Sequence, residues 1–256
     1  MRIALLQLDL VWEEVNANHA RAAARLKDAA AQGARLALLP EMFATGFSME
    51  AARIAQPEDG PTVRWLRGMA RGLDLFILAG VAELDEPRPR NNALLVTPDG
   101  DVVRYSKIHP FSFSGEGEHY DAGDKVVTVA VEGVRVTPLV CYDLRFPEPF
   151  RLAADDTDLY AVIANWPERR RAHWQALLKA RAIENLAYVA GVNRVGEGGG
   201  LPYAGDSVLH SPWGETLVSA AERECVLIAD VDPREVAAAR ERFPVLADRR
   251  PAAYKR

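Results

Sequence analysis

Runs of apolar residues, broken at regular intervals by polar or helix-capping residues, set out the chain. Ile3–Leu10 is almost continuously apolar and predicts a buried strand. A helix is expected after it, capped by Asn16 or Asn18 and running to about Ala31. It is alanine-rich, has Leu26 as its one large apolar residue, and stops at Gly33. Leu36–Leu39 predicts a second strand, stopped by Pro40, and 41–50 a mixed apolar loop. A helix over Pro61–Arg71 and a strand over Leu75–Val81 complete this alternating section.

From Asn91 the period changes. Asn91–Thr97, the turn Pro98-Asp99-Gly100 and Asp101–Tyr105 predict a β-hairpin. Lys107–Asp124 is long and irregular, as functional loops often are. Val126–Val131 and Val134–Val140, joined through Gly133, predict another hairpin. A short helix follows Pro147, a strand Leu159–Ala164, a helix Arg169–Glu184 and a strand Ala187–Arg194. Gly196–Gly200 reads as a flexible loop. Tyr203–Leu209, Glu215–Val218 and Cys225–Val231 are strands around the Pro212-Trp213-Gly214 turn. The last helix runs from Asp232-Pro233 to near Arg242, and an extended tail is expected from about 244. No repeat or linker interrupts the alternation, so one α/β domain over residues 1–256 is expected, its helices covering sheets that the hairpins make mixed. Pro138, inside a strand, lacks a ladder N–H and is expected at a bulge or a strand edge.

Composition narrows the function. The formal net charge is −5, and no basic run exceeds Arg169–Arg171, which argues against a nucleic-acid surface. No apolar run is long enough to span a bilayer, and the N-terminus shows no signal-peptide pattern, so no membrane role and a cytoplasmic location are expected. Two distant cysteines, Cys141 and Cys225, do not make a disulfide scaffold; Cys225, in a late strand, reads as core. The histidines at 19, 109, 119, 173 and 210 show no zinc-type spacing, so neither a metal nor another cofactor is expected.

The chemistry gathers where strands stop. Cys141 ends a β-branched run, and Pro147-Glu148 then starts a helix. Glu41 and Lys107 likewise follow strands. Three such groups can meet at one rim of a sheet. A carboxylate can take the proton of a thiol, a lysine can hold an oxyanion, and the backbone N–H of Tyr142 is a second donor for it.

Leu39-Pro40-Glu41, Tyr105-Ser106-Lys107-Ile108-His109 and Val140-Cys141-Tyr142-Asp143-Leu144-Arg145-Phe146-Pro147 closely resemble the nitrilase superfamily of carbon–nitrogen hydrolases. So do Gly80, Asn91-Asn92, Ala122-Gly123-Asp124, Asn165-Trp166-Pro167, Ala180–Asn185, Asn193-Arg194 and Gly205-Asp206-Ser207. The resemblance implies an α-β-β-α sandwich with two mixed sheets. It implies Cys141 as nucleophile, Glu41 as general base and Lys107 as oxyanion stabiliser. It also implies a second active-site carboxylate, Glu116, with Glu118 as competitor.

The stretches Glu41–Met49, Pro138–Pro147 and Asn165–Trp174 are most similar to the bacterial ω-amidase branch. That branch implies hydrolysis of the terminal amide of short α-keto acids such as 2-oxoglutaramate, through a cysteine thioester. Arg145 is then the clamp for the substrate carboxylate, its alternative being an ion pair with Glu148 or Asp143. Phe43, Phe47 and Trp166 are candidates for the apolar wall. Amidases of deaminated glutathione or of N-carbamoyl compounds share the triad, and a non-catalytic sensor on the same fold is the reading from another class. Family members commonly dimerise, so a second copy of the chain is an expected partner.

Overall fold

The computed structural model describes residues 1–254. The chain first builds β1 (Arg2–Gln7), α1 (Val15–Ala31), β2 (Leu36–Leu38), α2 (Ala51–Ile54), α3 (Pro61–Leu73), β3 (Phe76–Glu83), β4 (Arg90–Val96) and β5 (Val102–Ser106). After α4 (Glu116–His119) come β6 (Val129–Val131), β7 (Val134–Val140), α5 (Pro147–Leu152), β8 (Leu159–Ala164), α6 (Arg171–Asn185) and β9 (Tyr188–Asn193). β10 (Val195–Gly198), β11 (Leu201–His210), β12 (Thr216–Ala221), β13 (Cys225–Asp230), α7 (Pro233–Arg242) and α8 (Pro251–Tyr254) follow. One sheet has the order β13-β1-β2-β3-β4-β5. The other has β10-β11-β9-β8-β7-β6, with β12 added beside β11. Both are mixed: β1, β2 and β3 are parallel, as are β7, β8 and β9, and the hairpins are antiparallel.

The alternation of side chains along a strand explains the four layers. In β1, Ile3 and Leu5 join Leu36, Leu38 and Val136 in the core between the sheets. Ala4 and Leu6 point the other way, against Ala22, Leu26, Val63 and Leu66 of α1 and α3. Both faces are buried, so the strand reads as continuously apolar. On the far side, Trp174, Leu178 and Ala182 of α6 cover the second sheet. The expected α-β-β-α sandwich with two mixed sheets is the architecture observed.

Three local expectations need correction. Neither Asn16 nor Asn18 caps α1, whose cap position is Glu14 without a side-chain bond. Asn18 is buried instead. Its amide bonds the N–H and C=O of Val11 (2.8 and 2.7 Å) and the C=O of Ala44 (2.8 Å). Buried loop backbone must find partners, and that demand outweighs a cap. Gly196–Gly200 is no free loop: β10 pairs with β11, and the turn falls at Gly199-Gly200. Over its described residues the tail is not extended, since it turns at 245–248 and forms the helical turn α8, with Arg249 paired to Asp155; residues 255–256 lie outside the described residues. The loop over 41–50 is as expected, and α2, just after it, is a turn too short to show a helical period.

Pro138 occupies an edge. The N–H of Asp158 donates to the C=O of Arg135, so odd-numbered positions of β7 face β8. Pro138 faces the other side, where β6 has already ended opposite Val136. Its missing N–H leaves no gap in the ladder to β8.

Candidate active site

Glu41, Lys107 and Cys141 follow β2, β5 and β7, and the two stacked sheets bring these strand ends together. The Glu41 turn is fastened to β3: Gly80 N–H donates to Pro40 C=O and Phe43 N–H to Gly80 C=O. A Cβ on Gly80 would lie 2.4 Å from Glu41 Cα, so only glycine lets the turn come this close. Lys107 N–H donates to Asn91 C=O at 2.9 Å, which places the lysine beside the first residues of β4.

The three charged side chains form a buried cluster. Lys107 is 1% exposed, and Glu41 and Glu116 are fully buried. Lys107 Nζ donates to Glu41 Oε1 at 3.0 Å and to Glu116 Oε1 and Oε2 at 3.1 and 2.8 Å. Asn91 Nδ2 bridges the same carboxylates, at 2.7 Å to Glu41 and 2.9 Å to Glu116. Asn165 N–H donates to Glu41 Oε2 at 2.8 Å, and Phe111 N–H to Glu116 Oε2 at 2.6 Å. Of the two competing acids, Glu116 is in the cluster and Glu118 is exposed. Burial alone would lower the pKa of Lys107. The charges of Glu116 and Glu41 outweigh it and hold the lysine protonated, well above its ordinary value.

Cys141 opens a 3-10 turn, Cys141–Arg145, with a left-handed φ of 46°. Such a conformation is strained for a residue with a side chain and persists only where its surroundings fix it. Asp143 does so. Its buried carboxylate accepts from Val140 N–H (3.1 Å), Tyr105 O–H (2.8 Å), His109 N–H (2.9 Å) and His109 Nδ1 (2.8 Å). The Tyr142 N–H lies in the first turn, where helical N–H groups lack intrahelical partners. Cys141 Sγ donates a long hydrogen bond of 3.9 Å to Asn165 C=O. Burial pushes the thiol up, the Glu41 charge and a hydrogen bond to it push further, and Lys107 opposes them. On balance these surroundings favour the protonated thiol over the thiolate.

The thiol opens into a cavity of about 320 Å³. Phe47, Tyr142, Arg145 and Trp166 are on its wall, with Phe47 also 5.0 Å from Lys107 Nζ. Phe43 is not. It is fully buried behind the site, stacked with His19 and near Trp65. Met42 has a φ of 42°, which breaks strand alternation and turns Phe43 toward α1 and α3. Arg145 pairs with neither Glu148 nor Asp143. It contacts His173 Nδ1 (3.2 Å) and lies over Trp166 and Tyr142.

Sequence reasoning missed the parts played by Asn91, Asn165 and Asp143, although each lies within a quoted block. It also read Arg169–Arg171 only as a basic run. Arg169 and Arg170 line the cavity, whereas Arg171 turns away to Asp206 and Glu222. Their position just after the end of β8 was the available signal. No group of His, Cys, Asp and Glu among the described residues could hold a metal ion.

The sequence model for carbon–nitrogen hydrolases matches residues 2–241. The chain is 43% identical to the ω-amidase YafV of Escherichia coli K12 over 250 residues, covering 97% of this chain and 96% of that one. It is 31% identical to the 2-oxoglutaramate amidase of Bacillus subtilis 168 over 256 residues, covering 98% of each. The crystal structure of XC1258 from Xanthomonas campestris, a CN-hydrolase superfamily protein with an arsenic adduct in its active site, superposes with a TM-score of 0.94. The two are 40% identical, over 98% of this chain and 97% of that one. With a thiol, a buried carboxylate and a buried lysine converging at the strand ends of such a sandwich, the chain belongs to the carbon–nitrogen hydrolase family and is a hydrolytic amidase.

Proposed function

We propose that the chain is an ω-amidase that hydrolyses the terminal amide of short α-keto acids such as 2-oxoglutaramate through a thioester on Cys141. The observation that carries this reading is the cavity itself, with the thiol on its wall, the Glu41–Lys107–Glu116 cluster buried next to the thiol, and guanidinium groups on the wall that have no carboxylate partner among the described residues. Glu41 takes the thiol proton as Cys141 sulfur attacks the amide carbonyl. Lys107 and the Tyr142 N–H hold the oxyanion. The C–N bond breaks as protonated Glu41 gives its proton to the departing nitrogen, releasing ammonia. Glu41 then takes a proton from water, whose oxygen attacks the thioester. The acid leaves and the proton returns to the sulfur. Glu116 keeps Lys107 charged and in place. Arg145 binds the substrate carboxylate, and Phe47 and Trp166 flank the carbon chain.

A substrate panel tests the reading. Hydrolysis of 2-oxoglutaramate is expected to exceed that of deaminated glutathione and of N-carbamoyl amino acids. Arg145→Ala is expected to raise KM for 2-oxoglutaramate by ~10- to 100-fold, the effect of losing a charge-assisted hydrogen bond. A preference for a carbamoyl substrate, or a KM untouched by the substitution, would remove the assignment.

A second copy of the chain is the proposed partner, in keeping with Trp213 and Phe243, exposed on the outer side near α7. Sedimentation equilibrium is expected to give twice 28.1 kDa, and a monomer mass alone would exclude it. No helix among the described residues is long and apolar enough to cross a membrane. A cytoplasmic setting is proposed with it, since both cysteines are free and the thiol must stay reduced.

A further inference from the structure

We infer that Arg170 makes this site discriminate between α-keto and α-amino acid amides, accepting the first and repelling the second. The inference rests on the ω-amidase reading above. Arg145, Arg169 and Arg170 line one cavity, and none has a carboxylate partner among the described residues. Arg171, next in the chain, has two, Asp206 at 2.6 Å and Glu222 at 2.8 Å. Carboxylates are thus available nearby, and the cavity arginines are kept from them.

Aromatic rings hold these arginines instead. Arg145 lies 4.8 Å from the Trp166 centroid and 5.9 Å from that of Tyr142. Arg170 lies 5.0 Å from Phe111, whose ring is 4.8 Å from Tyr142. The two guanidinium groups therefore sit on adjoining rings beside the nucleophile. Arg145 also bonds His173 Nδ1 at 3.2 Å, and a guanidinium held by its face keeps its remaining N–H groups free for a ligand. Trp166 Nε1 donates to the Arg170 C=O at 2.8 Å and fixes the turn that carries it. Arg169 is exposed and lies over Phe113, itself 78% exposed, so it belongs to the rim. Arg170 is half-buried, and its burial, with the charges of Arg169 and Arg145, destabilises its own charge. An acceptor group on the ligand relieves that cost.

One carboxylate is satisfied by one bidentate guanidinium. Arg145 takes that part, which leaves Arg170 for the neighbouring α position. A keto oxygen there accepts an N–H bond. An α-ammonium group there meets a cation in a partly dry cavity. Discrimination by a built-in repulsion of this kind needs no extra contact with the preferred substrate. Glutamine, the α-amino counterpart of 2-oxoglutaramate, is the amide excluded.

The test compares kcat/KM for 2-oxoglutaramate, for glutaramate, which has no α substituent, and for glutamine. Wild type is expected to prefer them in that order. Arg170→Gln is expected to lower the glutaramate-to-glutamine ratio by at least ~tenfold, because the like-charge contact is gone. Arg170→Lys, which keeps the cation, is expected to hold that ratio. An unchanged ratio in Arg170→Gln overturns the inference, however far total activity falls. Product inhibition gives a reading that needs no variant: on wild type, 2-oxoglutarate should inhibit more tightly than glutarate, and glutarate more tightly than glutamate. Equal inhibition by the three also overturns it. A wild type inert to every amide removes the ω-amidase reading and this inference together, whereas an active wild type with an unmoved ratio removes this inference alone.

Discussion

Replacing Lys107 with methionine is expected to destabilise the protein by about 3–5 kcal/mol at neutral pH, the usual effect of removing one partner of a buried ion pair, and to abolish amide hydrolysis. The lysine is the one cation between two fully buried carboxylates. Without it, Glu41 and Glu116 share only the Asn91 amide and the backbone N–H groups of Asn165 and Phe111. Two like charges so close and so dry cannot both persist, and one carboxyl must take up a proton. The sign with pH follows from the shift. The folded pKa of Lys107 lies above its ordinary value of 10.5. Its stabilisation is therefore complete below the unfolded value and is lost only as pH climbs toward the folded one. At neutral pH the whole contribution is present in the wild type. Urea denaturation at pH 7 measures the loss, and Glu116→Gln added to Lys107→Met should restore part of the stability without restoring activity. A loss below about 1 kcal/mol would contradict the buried-cluster account, since only exposed pairs are worth so little.

Glu41→Gln is expected to lower kcat by roughly 10²- to 10⁴-fold, the range for loss of a general base, with the fold retained. The amide side chain can still accept from Lys107 at one oxygen, but it can take no proton from the thiol or from water. The same variant has a second consequence that separates a base from a merely positioning residue. The Glu41 charge helps hold the Cys141 thiol above its ordinary range. Removing that charge should move the pH inflection for alkylation of Cys141 by iodoacetamide downward, even as turnover collapses. An inflection that stays in place or rises, with kcat reduced, would mean that Glu41 acts on the substrate and not on the sulfur.

What the sequence could disclose was limited by range. Glu41, Lys107 and Cys141 each break an apolar run, and a strand end is a local signal that survives without coordinates. Their convergence needed the stacking of two sheets, which the strand ends suggest and the resemblance implied. Asn91 and Asn165 were harder. An asparagine at the start of a strand or after one is ordinary there. Only the fold shows that Asn91 bridges two carboxylates 25 and 50 residues away, Glu116 and Glu41. Asp143 holds the left-handed Cys141 through bonds to β5 and to His109, and neither partner is legible from spacing. Phe43 and Phe47 lie in one apolar loop with equal claims to the pocket wall, and the positive φ of Met42 decides between them. Arg170 shows the same limit. A basic triplet reads as a solvated face until its members are seen to go separate ways, one to carboxylates and two to the cavity.

Ammonia release from 2-oxoglutaramate, followed for the wild type and for Cys141→Ala side by side, tests the central claim most directly. Rapid release by the wild type and none above background in the variant is the predicted result. Release that survives in Cys141→Ala would contradict the thioester mechanism outright. A folded wild type that releases nothing from 2-oxoglutaramate would contradict the substrate assignment while leaving the family membership in place.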